Sequence, residues 1–410
     1  MINIHKDYLA LKKNVLYAII AEFFIQLIST SLLYILPLYM RTEGYTDAQI
    51  AGHISFRFLG ILLTTLPLGF FIKGRKLKWF FTATGIFIPM LTITGILAIA
   101  YHVAWLISCS QFMYGVFYAF TSAAILPFIV RNEKTENQTE AIALHYAVWS
   151  LGAVISGCLV GILTMVNPHL FSEKNVLILI GLIGFSNLYF LFNIKEEYVP
   201  EVKSKLSTLH KEFDWRIIGY VLIPSILIAI GAGLAIPFIG LFFANVHGMT
   251  TGGFALVTSF TSVLVVGATL YIPTLKRKLG MRAAITNIQV TAVIALVVLA
   301  STQYISMYSF AAVLAVGAYC IRNPLMNMVG PLTSELSMNY VGENNQEILS
   351  ALMSAISSGG YFFSAILFKK LRENNVSYAA IFYITAGFYF TAVFFYYLMS
   401  GRYLKRRQLI

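Results

Sequence analysis

The chain has 410 residues, of which 58% are hydrophobic and only 11% charged. A water-soluble protein carries about 25% charged residues, so this chain lacks the polar surface to cover a globule. A soluble enzyme, a disordered tail protein and a disulfide scaffold are excluded. The net charge of +12, from 29 Lys+Arg against 17 Asp+Glu, would point to nucleic acid in a soluble domain, but here it must first be placed relative to a bilayer.

A helix crosses about 30 Å of hydrocarbon with roughly 20 apolar residues. Twelve such runs follow in chain order: 14–40, 48–72, 78–100, 104–130, 139–166, 175–194, 217–245, 252–275, 282–302, 309–332, 348–368 and 378–400. The first is too long for a signal-peptide core and has no small-residue cleavage site, so it reads as a retained span. Barrel strands are excluded, because they would alternate over about 10 residues. Cys109, Cys158 and Cys320 all sit inside apolar runs and read as small core residues.

With the N-terminus in the cytoplasm, 22 of the 29 basic residues fall on the inside segments, five outside and two within spans. That is the asymmetry of an inner or plasma cell-membrane protein with both termini cytoplasmic. The positive charge is then a topology signal, and no nucleic-acid partner is needed. Lys369, Lys370 and Arg372 form the one discordant loop.

The chain reads as a duplication. Gly44, Ser55 and Phe56 recur as Gly248, Ser259 and Phe260, and Pro127 recurs as Pro331 at the same offset. The basic turn Lys73-Gly74-Arg75-Lys76 falls opposite Arg277-Lys278-Leu279-Gly280. The expected domains are a six-helix bundle over 1–194, a cytoplasmic linker over 195–215 and a second bundle over 216–410. Two such halves suggest lobes around a central path.

In these features the chain resembles the major facilitator superfamily of secondary transporters. The family's loop after the second span, Gly-x-x-x-Asp-Arg-x-Gly-Arg-Arg/Lys, is matched only at its end by Gly74-Arg75-Lys76. Phe71 or Lys73 stands where the Asp would be. The family's span-4 Arg is replaced by Gln111, four residues before Gly115. The resemblance implies an all-α integral membrane fold of twelve transmembrane helices in two pseudo-symmetric bundles. It also implies a cavity lined by spans 1, 4, 7 and 10, and alternating access by rocking.

Sixteen of the 17 acids lie in loops, tails or span ends; the exception is Glu22. It sits about 12 Å deep in span 1 at ~1.5 Å per residue. Gln26, Ser29 and Leu33 continue its face at helical spacing, so Glu22 is expected to face a wet interior vestibule. Charge at that depth costs roughly 2.5–3.5 kcal/mol, and desolvation favours a carboxyl's neutral form. Glu22 is therefore the candidate proton-coupling group, against a structural carboxyl as the plainer reading. His145, in span 5 at about 9 Å by the same rise, is a candidate relay or else a core or mouth histidine, as is His53.

Arg57 in span 2 and Arg322 in span 10 are the two intramembrane cations. Arg322 has Tyr319 three residues before it, Asn323 and Asn327 beside it, and Pro324 and Pro331 breaking the backbone nearby. That pattern suits a cavity-lining helix. A fixed guanidinium there can hold an anionic substrate group, serve as a counter-ion to Glu22 or tether backbone carbonyls, whereas Arg57 can instead snorkel outward. On span 4, Gln111, Tyr114, Tyr118 and Ser122 share a face; on span 11, Ser350, Ser354, Ser357 and Tyr361 do so. Such stripes line paths or pack helices. The substrate contacts expected are Gln26, Arg57, Gln111, Tyr118, Tyr319, Arg322, Asn323 and Asn327. The gating elements expected are Pro37 and Pro237 as kinks, with Gly74 and Arg75 in the basic turn.

The seven histidines show no metal-ligand spacing, no phosphate-binding loop is present, and no nucleophile–base pair supports an enzyme. No cofactor or metal is expected. The reading is a monomeric secondary transporter of a small organic molecule, coupled to protons, with efflux favoured. Import of an organic anion or lipid-headgroup translocation are the alternatives. A non-transporting sensor on this fold is opposed by tails too short to hold a signalling domain.

Overall fold

The computed structural model describes residues 11–72, 75–134, 137–195, 213–342 and 345–408. Every regular element among them is helical. The first half runs α1 (Lys13–Tyr34), α2 (Leu36–Thr42), α3 (Asp47–Phe71), α4 (Lys78–Ala100), α5 (Ala104–Asn132), α6 (Gln138–Val166), α7 (Glu173–Gly184) and α8 (Asn187–Asn193). The second runs α9 (Trp215–Ala235), a 3-10 turn (Ile236–Phe238), α10 (Ile239–His247), α11 (Thr251–Ser301), α12 (Phe310–Val341), α13 (Gln346–Glu373) and α14 (Tyr378–Gln408). Ten helices among the described residues are long and apolar enough to cross a membrane. The runs read at 48–72 and 348–368 are helical as well, as α3 and α13.

Local chemistry explains the interruptions. Proline lacks the amide hydrogen and its ring collides with the carbonyl one turn back. Pro37 accordingly opens α2 after a break at Ile35, and Pro237 lies in the 3-10 turn between α9 and α10. Both expected kink positions are thus real breaks. The break between α7 and α8 had no such signal. There the buried Asn187 donates from Nδ2 to the carbonyls of Gly184 (2.5 Å) and Gly85 (3.0 Å), covering a carbonyl that the helix leaves open. Within α11, Gly280 takes φ 74°, ψ 160°, a conformation that only glycine adopts freely. It divides α11 into the two spans read at 252–275 and 282–302.

The helices gather into two compact units. The first comprises Met1–Thr46, His53–Lys203 and Thr250–Ser259; the second comprises Asp47–Gly52, Ser204–Met249 and Phe260–Ile410. Most of the expected linker, together with Lys73 and Gly74, lies outside the described residues.

In the first unit Val15, Ile19, Phe81, Phe128 and Leu191 form a dry core at one end of the bundle. Lipid offers apolar side chains as good a solvent as a protein interior, so close packing of small residues carries helix association. At the contact of α3 with α5, a Cβ on Gly60 would meet the Phe112 carbonyl oxygen at 2.2 Å, and one on Gly115 would meet the Arg57 carbonyl oxygen at 2.0 Å. The two backbones touch, as only glycine permits.

In the second unit Ile218, Ile285, Val329, Leu336 and Met399 form the matching core. Here two of the three discordant cations, Arg372 and Lys369, find partners. Arg372 donates from Nε to Asp47 Oδ2 at 2.9 Å and from Nη1 to the Val376 carbonyl at 2.7 Å. The Tyr378 hydroxyl donates to the same carboxylate, and Lys369 lies 3.8 Å from Glu373. In the basic turn of α11, Lys276 pairs with Glu335 at 2.6 Å.

Candidate functional site

The first unit carries a chain of polar side chains through its interior. Helices α1 and α6 run parallel and close. Ser31 and Ser156 share a hydrogen bond of 2.6 Å, and a Cβ on Gly152 would sit 3.2 Å from the Gln26 backbone. The same register brings His145 of α6 beside Glu22 of α1, with Nδ1 2.7 Å from Glu22 Oε2. Gln26, one turn along α1, donates from Nε2 to Glu22 Oε1 at 3.2 Å. Its own Oε1 accepts from the Tyr118 hydroxyl of α5 at 3.5 Å.

Tyr118 stacks on Tyr114, with ring centroids 6.1 Å apart. The Arg57 guanidinium lies 4.8 Å over the Tyr114 ring, and Arg57 Nε donates to Gln111 Oε1 at 2.8 Å. Glu22, Gln26, Arg57 and Gln111 are each at least 94% buried. Six of the expected residues therefore form one continuous network: Glu22, His145, Gln26, Tyr118, Gln111 and Arg57. Tyr114, read from sequence only as a stripe member, is its aromatic link.

Two expectations change. Glu22 does not face an open vestibule: it is 3% exposed, and the void beside it, lined by Ala18, Ile25, Phe81, Thr121 and Leu191, measures about 10 Å³. That is room for a single water at most. The more exposed member of the pair is His145, at 14% of its side chain. Arg57 does not snorkel. Its stem enters the bundle because Gln111 and the Tyr114 face replace water around the guanidinium. The replacement is incomplete, since Arg57 Nη2 has no hydrogen-bond partner among the described residues. His53 is tied off in the same unit, with Nδ1 2.9 Å from Ser108 Oγ.

The second unit holds the other expected residues on α12. Arg322, 1% exposed, donates from Nη2 to the Tyr389 hydroxyl of α14 at 3.2 Å, and its Nε has no partner among the described residues. Tyr319 is buried edge-on to Phe243, at 5.8 Å between centroids. Asn327 spends its amide hydrogens on Asn323, on the carbonyl at 2.8 Å and on Oδ1 at 3.2 Å. The pair thus braces one turn of α12 next to Pro324. Tyr389 was missed in the sequence, where it is one aromatic among the 24 tyrosines and 32 phenylalanines.

Among the described residues, neither Arg57 nor Arg322 has a carboxylate within salt-bridge distance. Nor does any group of three or more His, Cys, Asp or Glu side chains converge on one point among them. Of the gating residues, Arg75 is exposed, lies over the Phe71 ring at 3.7 Å, and accepts at its carbonyl from Arg131 Nη1 at 3.2 Å.

Long apolar helices enclosing buried charges define a multi-pass membrane protein. The chain belongs to the Major Facilitator Superfamily, whose family model matches residues 18–365. It is therefore a member of a family of membrane transporters. Its fold is similar to that of a bacterial homologue of the iron transporter ferroportin in its inward-facing state, with TM-score 0.75 at 13% identity over 94% of this chain and 98% of that one. It is likewise similar to a D-xylose–proton symporter, with TM-score 0.74 at 12% identity over 94% and 97%. The nucleoside transporter NupG gives TM-score 0.72 at 15% identity over 95% and 99%. No curated protein sequence matches the chain.

Proposed function

We propose that this chain is a proton-coupled secondary transporter of a small organic molecule, working by alternating access. The observation that carries the reading is the contact of Glu22 with both His145 and Gln26 deep in the first unit. Glu22 and His145 together hold one proton more or less as the site exchanges with water through His145. As a carboxylate, Glu22 only accepts hydrogen bonds; protonated, it also donates. With that proton on Glu22 Oε1, Gln26 turns its amide to offer its own Oε1, and the Tyr118 hydroxyl loses its acceptor. Protonation is thereby relayed along α5 toward Arg57.

Arg57 and Gln111 in the first unit, and Tyr319 and Arg322 in the second, contact the substrate. Asn323 and Asn327 shape the α12 backbone. Pro37 and Pro237 provide the bends for opening and closing, and the basic turn at Arg75 belongs to the same gating. The protein acts as a monomer in the cell membrane with both termini cytoplasmic and a cytoplasmic linker between two bundles. Coupling of outward transport is the first reading of direction.

The buried arginines favour a second reading of substrate and direction, the uptake of an organic anion. A guanidinium removed from water is costly unless paired, and each of these has a donor without an acceptor among the described residues. An anionic group supplies what both lack. The D-xylose–proton symporter of similar fold lends support to proton coupling on this architecture. The test is a substrate screen in proteoliposomes with an imposed pH gradient, covering organic anions, sugars, nucleosides, divalent metals and lipophilic cations in both directions. Gradient-driven movement of one organic class supports the proposal; metal movement alone, or none that responds to the gradient, overturns it.

A further inference from the structure

The first unit has a second cleft, lined by none of the residues of the Glu22 network. It is a cleft of about 510 Å³ lined by Lys76, Lys78, Trp79, Thr82, Phe192, Ile194 and Lys195. That lies within the roughly 300–1,000 Å³ usual for small-ligand sites. Among the described residues, three of its seven lining side chains are lysines and none is acidic. Positive charge at this end of the bundle follows from topology, but its convergence around one cleft does not.

The walls are fixed by side-chain bonds to the backbone. Lys78 Nζ donates to the carbonyls of Ile194 (2.6 Å) and Phe192 (3.1 Å), tying the start of α4 to the end of α8. Asn14 and Lys195 bond reciprocally. Asn14 Nδ2 donates to the Lys195 carbonyl at 2.6 Å, and the Lys195 amide donates to Asn14 Oδ1 at 3.1 Å. Lys76 and Lys195 are exposed and have no carboxylate within salt-bridge distance among the described residues. Two aromatic rings border the same cleft, Trp79 at 76% and Phe192 at 62% exposure. Trp at a helix end marks the headgroup level of a bilayer.

We infer that this cleft binds the phosphate of an anionic phospholipid, a phosphatidylglycerol-type headgroup, with Lys76 and Lys195 as the charge partners and Trp79 and Phe192 against the glycerol and upper acyl chain. Free phosphate shares the charge chemistry but has nothing to place on the two rings. Basic clefts between helices at a membrane surface bind such headgroups, each lysine contributing on the order of fivefold in local enrichment. The inference is independent of the transport reading, because none of these residues belongs to the polar network.

The experiment uses the full chain in phosphatidylcholine nanodiscs, with part of the lipid replaced by dibrominated phosphatidylglycerol or by dibrominated phosphatidylcholine. Bromine quenches tryptophan on contact, and the difference between the chain and its Trp79→Phe variant isolates the Trp79 emission. The expected result is stronger quenching of Trp79 by the brominated anionic lipid. The excess is lost in Lys76→Gln/Lys195→Gln and kept in Lys76→Arg/Lys195→Arg. Unchanged quenching by brominated phosphatidylcholine shows that the Gln variant is still folded. Equal quenching by both lipids in the parent chain overturns the inference, as does an excess that survives the Gln pair. Loss of the excess on adding inorganic phosphate at the lipid's concentration also overturns it, in favour of a free-anion site.

Discussion

Replacing Gly115 by Ala places a methyl group where the Arg57 carbonyl oxygen already sits, 2.0 Å away, with the Arg57 carbon and the Ile61 nitrogen each at 3.0 Å. Ordinary contact begins near 3.4 Å, so α3 must retreat from α5 by more than an ångström. All three obstructing atoms are backbone, and no side-chain rotation relieves them. Overpacking of this kind costs about 1–3 kcal/mol, and the gain of up to about 1 kcal/mol in helix propensity from Gly to Ala offsets part of it. A net loss of roughly 1–2 kcal/mol is expected in denaturant titrations of the detergent-solubilised protein. Gly60→Ala should behave alike, since its Cβ meets the Phe112 carbonyl oxygen at 2.2 Å. The double variant should cost less than the sum, because one separation of the helices accommodates both methyls. Gly317→Ala on α12 is the control: no atom lies within 4 Å of its Cβ, so it should gain stability by about 0.5–1 kcal/mol. The retreat also carries Arg57 from Gln111, so transport should fall beyond what stability explains. If Gly115→Ala is as stable and active as Gly317→Ala, the backbone contact does not set the position of Arg57.

Other outcomes follow from the same geometry. Tyr389→Phe removes the acceptor from Arg322 Nη2 and should cost about 1–3 kcal/mol in denaturant titrations, with no change expected if Tyr389 merely packs. Arg322→Lys should weaken transport of anionic substrates far more than of neutral ones, because a point charge replaces a fork of donors; equal effects on both would favour a backbone tether. His145→Gln should lower gradient-driven transport by on the order of 10²-fold while exchange at equal pH persists. A double-mutant cycle on Asp47→Asn and Arg372→Gln should give a coupling of roughly 0.5–1 kcal/mol, a modest value because both side chains keep some exposure.

What could be read without coordinates was whatever one helix encodes by itself. Glu22 and Gln26 stand one turn apart, so their bond is written in the spacing of α1. Gln111, Tyr114 and Tyr118 were likewise legible as one face of α5. Depth along a span added something, placing His145 near the level of Glu22 before the two were seen to touch. Rotation of one helix against another is not encoded so directly. Arg57 read as a substrate contact or as reaching outward, and its bond to Gln111 rests on the Gly60–Gly115 contact, which neither helix encodes alone.

Tyr389 had no pattern to single it out, because its role depends on α14 packing beside α12. The partner of Arg372 was equally hidden, because Asp47 is 325 residues away in sequence. Pro37 and Pro237 signalled their breaks through backbone chemistry. The break before Asn187 rests on a side-chain bond to the Gly184 and Gly85 carbonyls, and composition does not announce it.

In the proposed mechanism Glu22 is the group whose protonation drives transport. Glu22→Gln keeps the side-chain shape but turns one acceptor oxygen into a donor amide, and it can carry no proton cycle. In proteoliposomes, using the best substrate from the screen, it should retain substrate exchange at equal pH and lose all accumulation driven by a pH gradient. Accumulation by Glu22→Gln that matches the parent chain under the same gradient would contradict the account.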